Sequence, residues 1–166
     1  MGAGKTTLGK ALAKKLNMPF VDLDWYIEER FYKTVRELFV ERGEDSFRQL
    51  ERQILHEVSD FENVIISTGG GTPCFFDNME FMNKKGETIF LDVDINTLHR
   101  RLIVAKQSRP LLKDKSDEEL LEFIKSGVEG RKIHYTKAKY TLNAAELESR
   151  KQISSTIQKL RELIRI

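Results

Sequence analysis

The sequence predicts an α/β fold, a three-layer sandwich of helices around a central parallel sheet. Three observations carry that expectation. A phosphate-binding loop opens the chain, and short apolar runs then alternate with helical stretches to the C-terminus. The run Val64-Ile65-Ile66 is continuously apolar, as a parallel strand buried on both faces should be. Crossovers between such strands are expected to be right-handed. The chain has 166 residues, enough for one domain with one core, and residues 1–166 are read as a single domain.

Gly4-Lys5-Thr6 closes the pattern G-x-x-x-x-G-K-[ST]. Thr7 onward reads as the helix that follows, with Leu8, Ala11, Leu12 and Leu16 at helical spacing. Glycines let the backbone curl so that several N–H groups point at one phosphate, and the helix N-terminus adds partial positive charge. Gly2, Ala3, Gly4, Lys5, Thr6 and Thr7 are therefore the nucleotide-binding candidates. Lys5 would reach the β- and γ-phosphates, and Thr6 would offer its hydroxyl to Mg²⁺. Counting back from Gly4, the first glycine of the pattern falls two residues before Met1. The strand that should feed the loop is absent too, so this chain is expected to lack the first strand of the fold.

Phe20-Val21 follows Pro19 and ends in Asp22 and Asp24. This reads as a strand presenting both carboxylates on one face at its C-terminal end, where open parallel sheets bind ligands. The competing reading is a pair of N-cap aspartates for a helix from Trp25. Helical pieces are expected at Trp25–Phe31, Thr34–Arg42 and Glu44–Ser59, broken near Tyr32-Lys33 and at Gly43, with a Thr34/Glu37 capping box. Arg48 and Glu51 lie three apart in the last piece, and by spacing alone they read as a solvated surface pair. Gly69-Gly70-Gly71 ends the strand at Val64–Ile66 and permits a close backbone approach to a ligand, where a turn would need fewer glycines.

Further helices are expected at Asp77–Lys84, at Ile95–Ala105 capped by Asp94, from a Ser116/Glu119 capping box, and at Ser149–Arg165. The helix after Ser116 is expected to bend or break at Gly127 or Gly130. Strands are expected at Thr88–Asp92 and Tyr140–Leu142. Residues 106–115, polar and carrying Arg109-Pro110, read as a loop, either plain linker or lid.

Composition narrows the class. A net charge of +2 argues against nucleic acid or a membrane surface as partner. The sequence shows no apolar run of membrane-spanning length, and no signal peptide is expected. The single cysteine, Cys74, excludes an intrachain disulfide and fits a cytoplasmic location. Beside Pro73 and two phenylalanines it reads as a packed thiol.

The spaced set Gly-Ala-Gly-Lys-Thr (2–6), Asp-Leu-Asp (22–24), Gly-Glu-Asp-Ser-Phe-Arg-Gln-Leu-Glu (43–51), Gly-Gly-Gly (69–71), Arg-Pro-Leu-Leu (109–112) and Arg131-x-x-x-Tyr135 resembles the shikimate kinase family over nearly the whole chain. The resemblance implies transfer of the ATP γ-phosphoryl group to the 3-hydroxyl of shikimate, on the route to chorismate and aromatic amino acids. It implies a P-loop kinase fold with a substrate-binding helical region about 24–59 and a lid about 106–115. It implies that Lys5 and the loop amides hold the phosphates, that Thr6 holds Mg²⁺, and that Asp22 assists through the metal's water shell. Asp24 would bond the substrate hydroxyls and act as base. Arg48 and Arg131 would bind the carboxylate, with Glu51 orienting Arg48. The Gly69, Gly70 and Gly71 backbone would approach the ring hydroxyls, and Arg109 would reach the transferring phosphate. ATP, Mg²⁺ and a small-molecule substrate are the expected ligands, and a cytoplasmic monomer the expected form.

Four cations against a carboxylated substrate and a triphosphate make electrostatic sense, and guanidinium suits bidentate carboxylate binding. The sequence departs from the family pattern at Ile133, where proline is frequent. Arg101 is the nearest match to an adenine-contacting arginine, one residue out of register. The rival readings are another small-metabolite kinase of this fold, such as a gluconate kinase, and a truncated, non-catalytic nucleotide-binding protein. A panel of hydroxy acids separates the first, and ATP turnover separates the second.

Overall fold

The computed structural model describes residues 1–105 and 115–165. The chain divides into two compact units, Lys5–Glu87 and Met1–Gly4 with the described part of Thr88–Ile166.

The first unit begins with α1 (Lys5–Leu16), which buries Leu8, Leu12 and Ala13 on one face. Asn17, at φ 54°, ends it in the left-handed conformation that helix C-termini favour. A Cβ on Gly9 would lie 2.5 Å from the Phe20 ring, so α1 sits directly on strand β1 (Phe20–Asp22). After β1 come α2 (Leu23–Phe31), α3 (Val35–Val58), β2 (Ile65–Ser67), a 3₁₀ turn (Thr72–Cys74) and α4 (Asn78–Lys85). β1 and β2 are parallel, with Phe20 opposite Ile65 and Asp22 opposite Ser67. Their C-terminal ends therefore share one edge, from which both Asp24 and the glycine run emerge.

The predicted Thr34/Glu37 capping box is present: the Glu37 N–H donates to Thr34 Oγ1 at 3.2 Å, and the Thr34 N–H donates to Glu37 Oε2 at 2.7 Å. The predicted break at Gly43 is also real. Gly43 takes φ 74° and ψ 168°, so two helical pieces join there at a kink. Leu23, Ile27, Leu38, Phe47, Leu50, Ile54, Leu55 and Val58 form the buried core between α2 and α3. Burying each such side chain contributes about 1.5–3 kcal/mol.

The second unit holds β3 (Ile89–Asp92), α5 (Ile95–Ala105), α6 (Asp117–Tyr135), β4 (Tyr140–Asn143) and α7 (Arg150–Ile164). β3 and β4 pair in parallel, Ile89 with Tyr140 through Asp92 with Asn143. The two expected caps form: Asp94 Oδ1 accepts from the Thr97 N–H at 2.9 Å, and Ser116/Glu119 makes a reciprocal capping box. A further capping box, Ser149 with Gln152, opens α7. The expected break does not occur. α6 runs unbroken through Gly127 and Gly130, because a mid-helix glycine costs only about 1 kcal/mol against alanine, and the cap at Ser116 and the burial of Leu120 and Ile124 hold the helix.

Candidate active site

Gly2 and Gly4 take φ 75° and 89°, the left-handed region that favours glycine. A Cβ on Gly4 would lie 2.5 Å from Leu147 Cδ1, so this residue is glycine for space as well as for conformation. The helix starts at Lys5, two residues earlier than the sequence suggests. The N–H groups of Lys5, Thr6 and Thr7 thus fall in its first turn, at the positive end of the helix dipole. There is no acidic residue in that turn, so the positive end of the helix dipole is left for an anion.

Thr6 Oγ1 donates to Asp22 Oδ2 at 2.8 Å. Asp22 stands at the N-cap position of α2 yet makes no side-chain cap bond, so its carboxylate faces the phosphate loop instead of its own helix. The strand reading of Asp24 needs correction. β1 stops at Asp22, and Asp24 lies in the first turn of α2. The two carboxylates are close because the chain turns into a helix between them, not because they alternate along a strand.

Burial, first, and then the charges of Asp22 and Glu51 push the Asp24 carboxyl up to about 6, against the pull of Lys5. A Cβ on Gly69 would lie 2.9 Å from Asp24 Oδ1, 3.1 Å from Thr72 Oγ1 and 3.2 Å from Glu51 Oε1. One on Gly71 would lie 2.7 Å and 2.8 Å from the Arg48 guanidinium nitrogens Nη2 and Nη1. Gly69 and Gly71 are therefore demanded by close packing against the charged groups.

Arg48 and Glu51 are not a solvated pair. They are 9% and 1% exposed, and Arg48 Nη1 donates to Glu51 Oε2 at 2.8 Å. The guanidinium carbon lies 4.2 Å from the Phe75 ring centroid, with Phe39 and Phe47 at 5.1 Å and 5.4 Å. Removing water around an ion pair strengthens it and fixes its geometry. Spacing cannot distinguish this pair from a surface pair. Two residues absent from the sequence reading complete the cluster: Thr72 Oγ1 donates to Glu51 Oε1 at 2.6 Å, and Asn78 Nδ2 donates to the Thr72 carbonyl at 2.9 Å. No sequence motif marks either.

The second unit holds the other candidates. Arg131 is exposed near the C-terminal end of α6. Tyr135, four residues on, packs its ring 5.3 Å from that of Phe90. Arg101, the nearest match to an adenine-contacting arginine, has several partners within the chain. Its guanidinium donates to the carbonyls of Gly2 at 3.3 Å, Ala144 at 3.2 Å and Ala145 at 2.7 Å, tying the phosphate loop to the segment after β4. Arg109 and all of the expected lid except Lys115 lie outside the described residues.

Oxygen donors at Thr6 and Asp22 suit a hard cation such as Mg²⁺, which binds through few protein oxygens together with waters and substrate phosphates.

The family model described as shikimate kinase matches residues 1–161. The chain belongs to the shikimate kinase family. A shikimate kinase from Bacteroides thetaiotaomicron is 64% identical over 166 residues, covering 100% of this chain and 95% of the relative. A crystal structure of shikimate kinase from the same organism superposes with a TM-score of 0.94 at 61% identity, covering 100% of this chain and 94% of that one. A shikimate kinase from Acinetobacter baumannii, solved in complex with shikimate, superposes at 0.81 and 30% identity, covering 99% and 88%. The α/β kinase fold expected from the sequence is borne out by these likenesses and by the parallel pairing of the strands. Among the described residues no helix is long and apolar enough to cross a membrane.

Proposed function

We infer that this chain transfers the γ-phosphoryl group of ATP to the 3-hydroxyl of shikimate, giving shikimate 3-phosphate and ADP. Family membership supports the reaction. The observation that carries the residue roles is the convergence, around Gly69–Gly71, of a carboxyl with pKa about 6 and an aromatically caged arginine.

Arg48, held by Glu51, binds the substrate carboxylate as a charge-assisted pair. The resemblance adds Arg131 as a second cation for that carboxylate. The glycine run leaves room for the ring hydroxyls. Asp24 accepts the proton of the 3-hydroxyl as its oxygen attacks the γ-phosphorus. The bond to the β-phosphate oxygen breaks, and ADP leaves with its new charge held by Lys5 and the first-turn amides of α1. A carboxyl with pKa about 6 is ionised at neutral pH yet remains a useful proton acceptor. Mg²⁺, when bound through Thr6 and by way of water through Asp22, would neutralise phosphate charge. Arg109 is proposed, by resemblance, for the transferring phosphate. The reaction is proposed to run in the cytoplasm, in a monomer.

The test is ADP release with shikimate and with a panel of hydroxy acids, comparing wild type with Asp24→Asn. Shikimate should be strongly preferred, and the variant should lose about 10²–10⁴-fold in turnover while keeping ATP affinity. Turnover near normal in the variant would end the assignment of Asp24.

A further inference from the structure

Arg48 can select a carboxylate only if its guanidinium keeps one orientation. Phe75 stacks on the group but does not fix its rotation in the plane, and Glu44 touches Nη2 only at 3.4 Å. The orienting contact is Glu51, one of whose oxygens accepts from Arg48 Nη1. A carboxylate held by one oxygen swings about its terminal torsion, which is soft. Here the second oxygen is also held, by the hydroxyl of Thr72 at 2.6 Å.

Thr72 and Asn78 are both 0% exposed. The Asn78 amide donates to the Thr72 carbonyl, while its own Oδ1 is buried with no hydrogen-bond partner among the described residues. Retaining an orphaned buried oxygen is unfavourable, which points to a task for the amide that outweighs it. That task is to fix the 3₁₀ turn so that the Thr72 hydroxyl meets Glu51.

We propose that Thr72 is a positioning residue for carboxylate recognition, acting through Glu51 on Arg48, with Asn78 anchoring Thr72. The inference rests on Arg48 being the carboxylate ligand. Groups that orient a ligating side chain commonly matter nearly as much as the ligand itself.

The test uses calorimetry on the full chain with shikimate, with its carboxamide analogue and with ATP. Thr72→Val, which keeps the shape and removes the donor, should weaken shikimate binding roughly tenfold or more. Its effect on the carboxamide should be much smaller, ATP affinity should be unchanged, and Thr72→Ser should restore shikimate binding. Should Thr72→Val not melt cooperatively, Thr72→Ala carries the same comparison. Equal losses for shikimate and carboxamide would reduce Thr72 to a structural role and overturn the proposal. So would unchanged shikimate affinity in Thr72→Val when Arg48→Ala has lost it. Unchanged affinity in Arg48→Ala would overturn the carboxylate reading as well, so the two failures are distinguishable.

Discussion

Replacing Asp24 by asparagine should make the protein more stable while it destroys catalysis. The carboxyl is raised from 3.8 to about 6, a difference of roughly two units, or about 3 kcal/mol at ~1.4 kcal/mol per unit. The sign follows from proton binding. Between these values the folded chain holds a proton that the unfolded chain has released, so stability falls as pH rises from about 4 to about 6 and stays low above that. An uncharged asparagine removes the penalty. Allowing for water at a side chain that is not fully buried, the gain at pH 7.5 should be about 2–3 kcal/mol. For a domain of this size that is a rise of roughly 5–10 °C in Tm. Scanning calorimetry of both proteins without ligands, at about pH 4, 6 and 7.5, gives the answer. The curves should nearly coincide at the lowest pH and separate as Asp24 ionises. An offset independent of pH would mean that the amide packs differently and that the carboxylate carries no ionisation penalty. No offset at pH 7.5 would refute the desolvation argument itself.

The same titration should shape the kinetics: kcat/KM for shikimate should rise with pH through about 6 and then level off, since the base works unprotonated, and a flat profile would argue for another base. Arg48→Ala should weaken shikimate binding by about 2–5 kcal/mol, with ATP affinity within about twofold of wild type; calorimetry with each ligand decides. Gly71→Ala should expel the Arg48 guanidinium, which lies 2.7 Å and 2.8 Å from the new Cβ, and lower shikimate affinity about tenfold or more. Unchanged affinity would show that the turn can retreat. Gly127→Ala meets nothing within 4 Å and should stabilise α6 by about 0.4–1 kcal/mol, read as a small rise in Tm; a fall would mean that the helix needs its glycine there.

The sequence by itself determined the local features. The capping boxes at Thr34 and Ser116 were readable because donor and acceptor sit three residues apart on one turn. The phosphate loop is contiguous, so its glycines, Lys5 and Thr6 announce themselves. Gly43 marked its break because the backbone there takes a positive φ. The spaced motif set also named the family before any geometry was known.

Tertiary structure alone decided how the charged groups are used. Arg48 and Glu51 have the spacing of any surface pair, and only packing by phenylalanines from three separate positions removes them from water. The raised Asp24 carboxyl needs burial first and then Asp22 and Glu51 close by, and its place in α2 hung on a strand ending two residues sooner than the sequence suggests. Thr72 reaches Glu51 across 21 residues, and Arg101 reaches Ala144 across 43. A hydrogen bond inside one turn depends on neighbours in sequence. Desolvation, and the charge interactions it strengthens, depend on which distant segments fold against each other, and no local pattern records that.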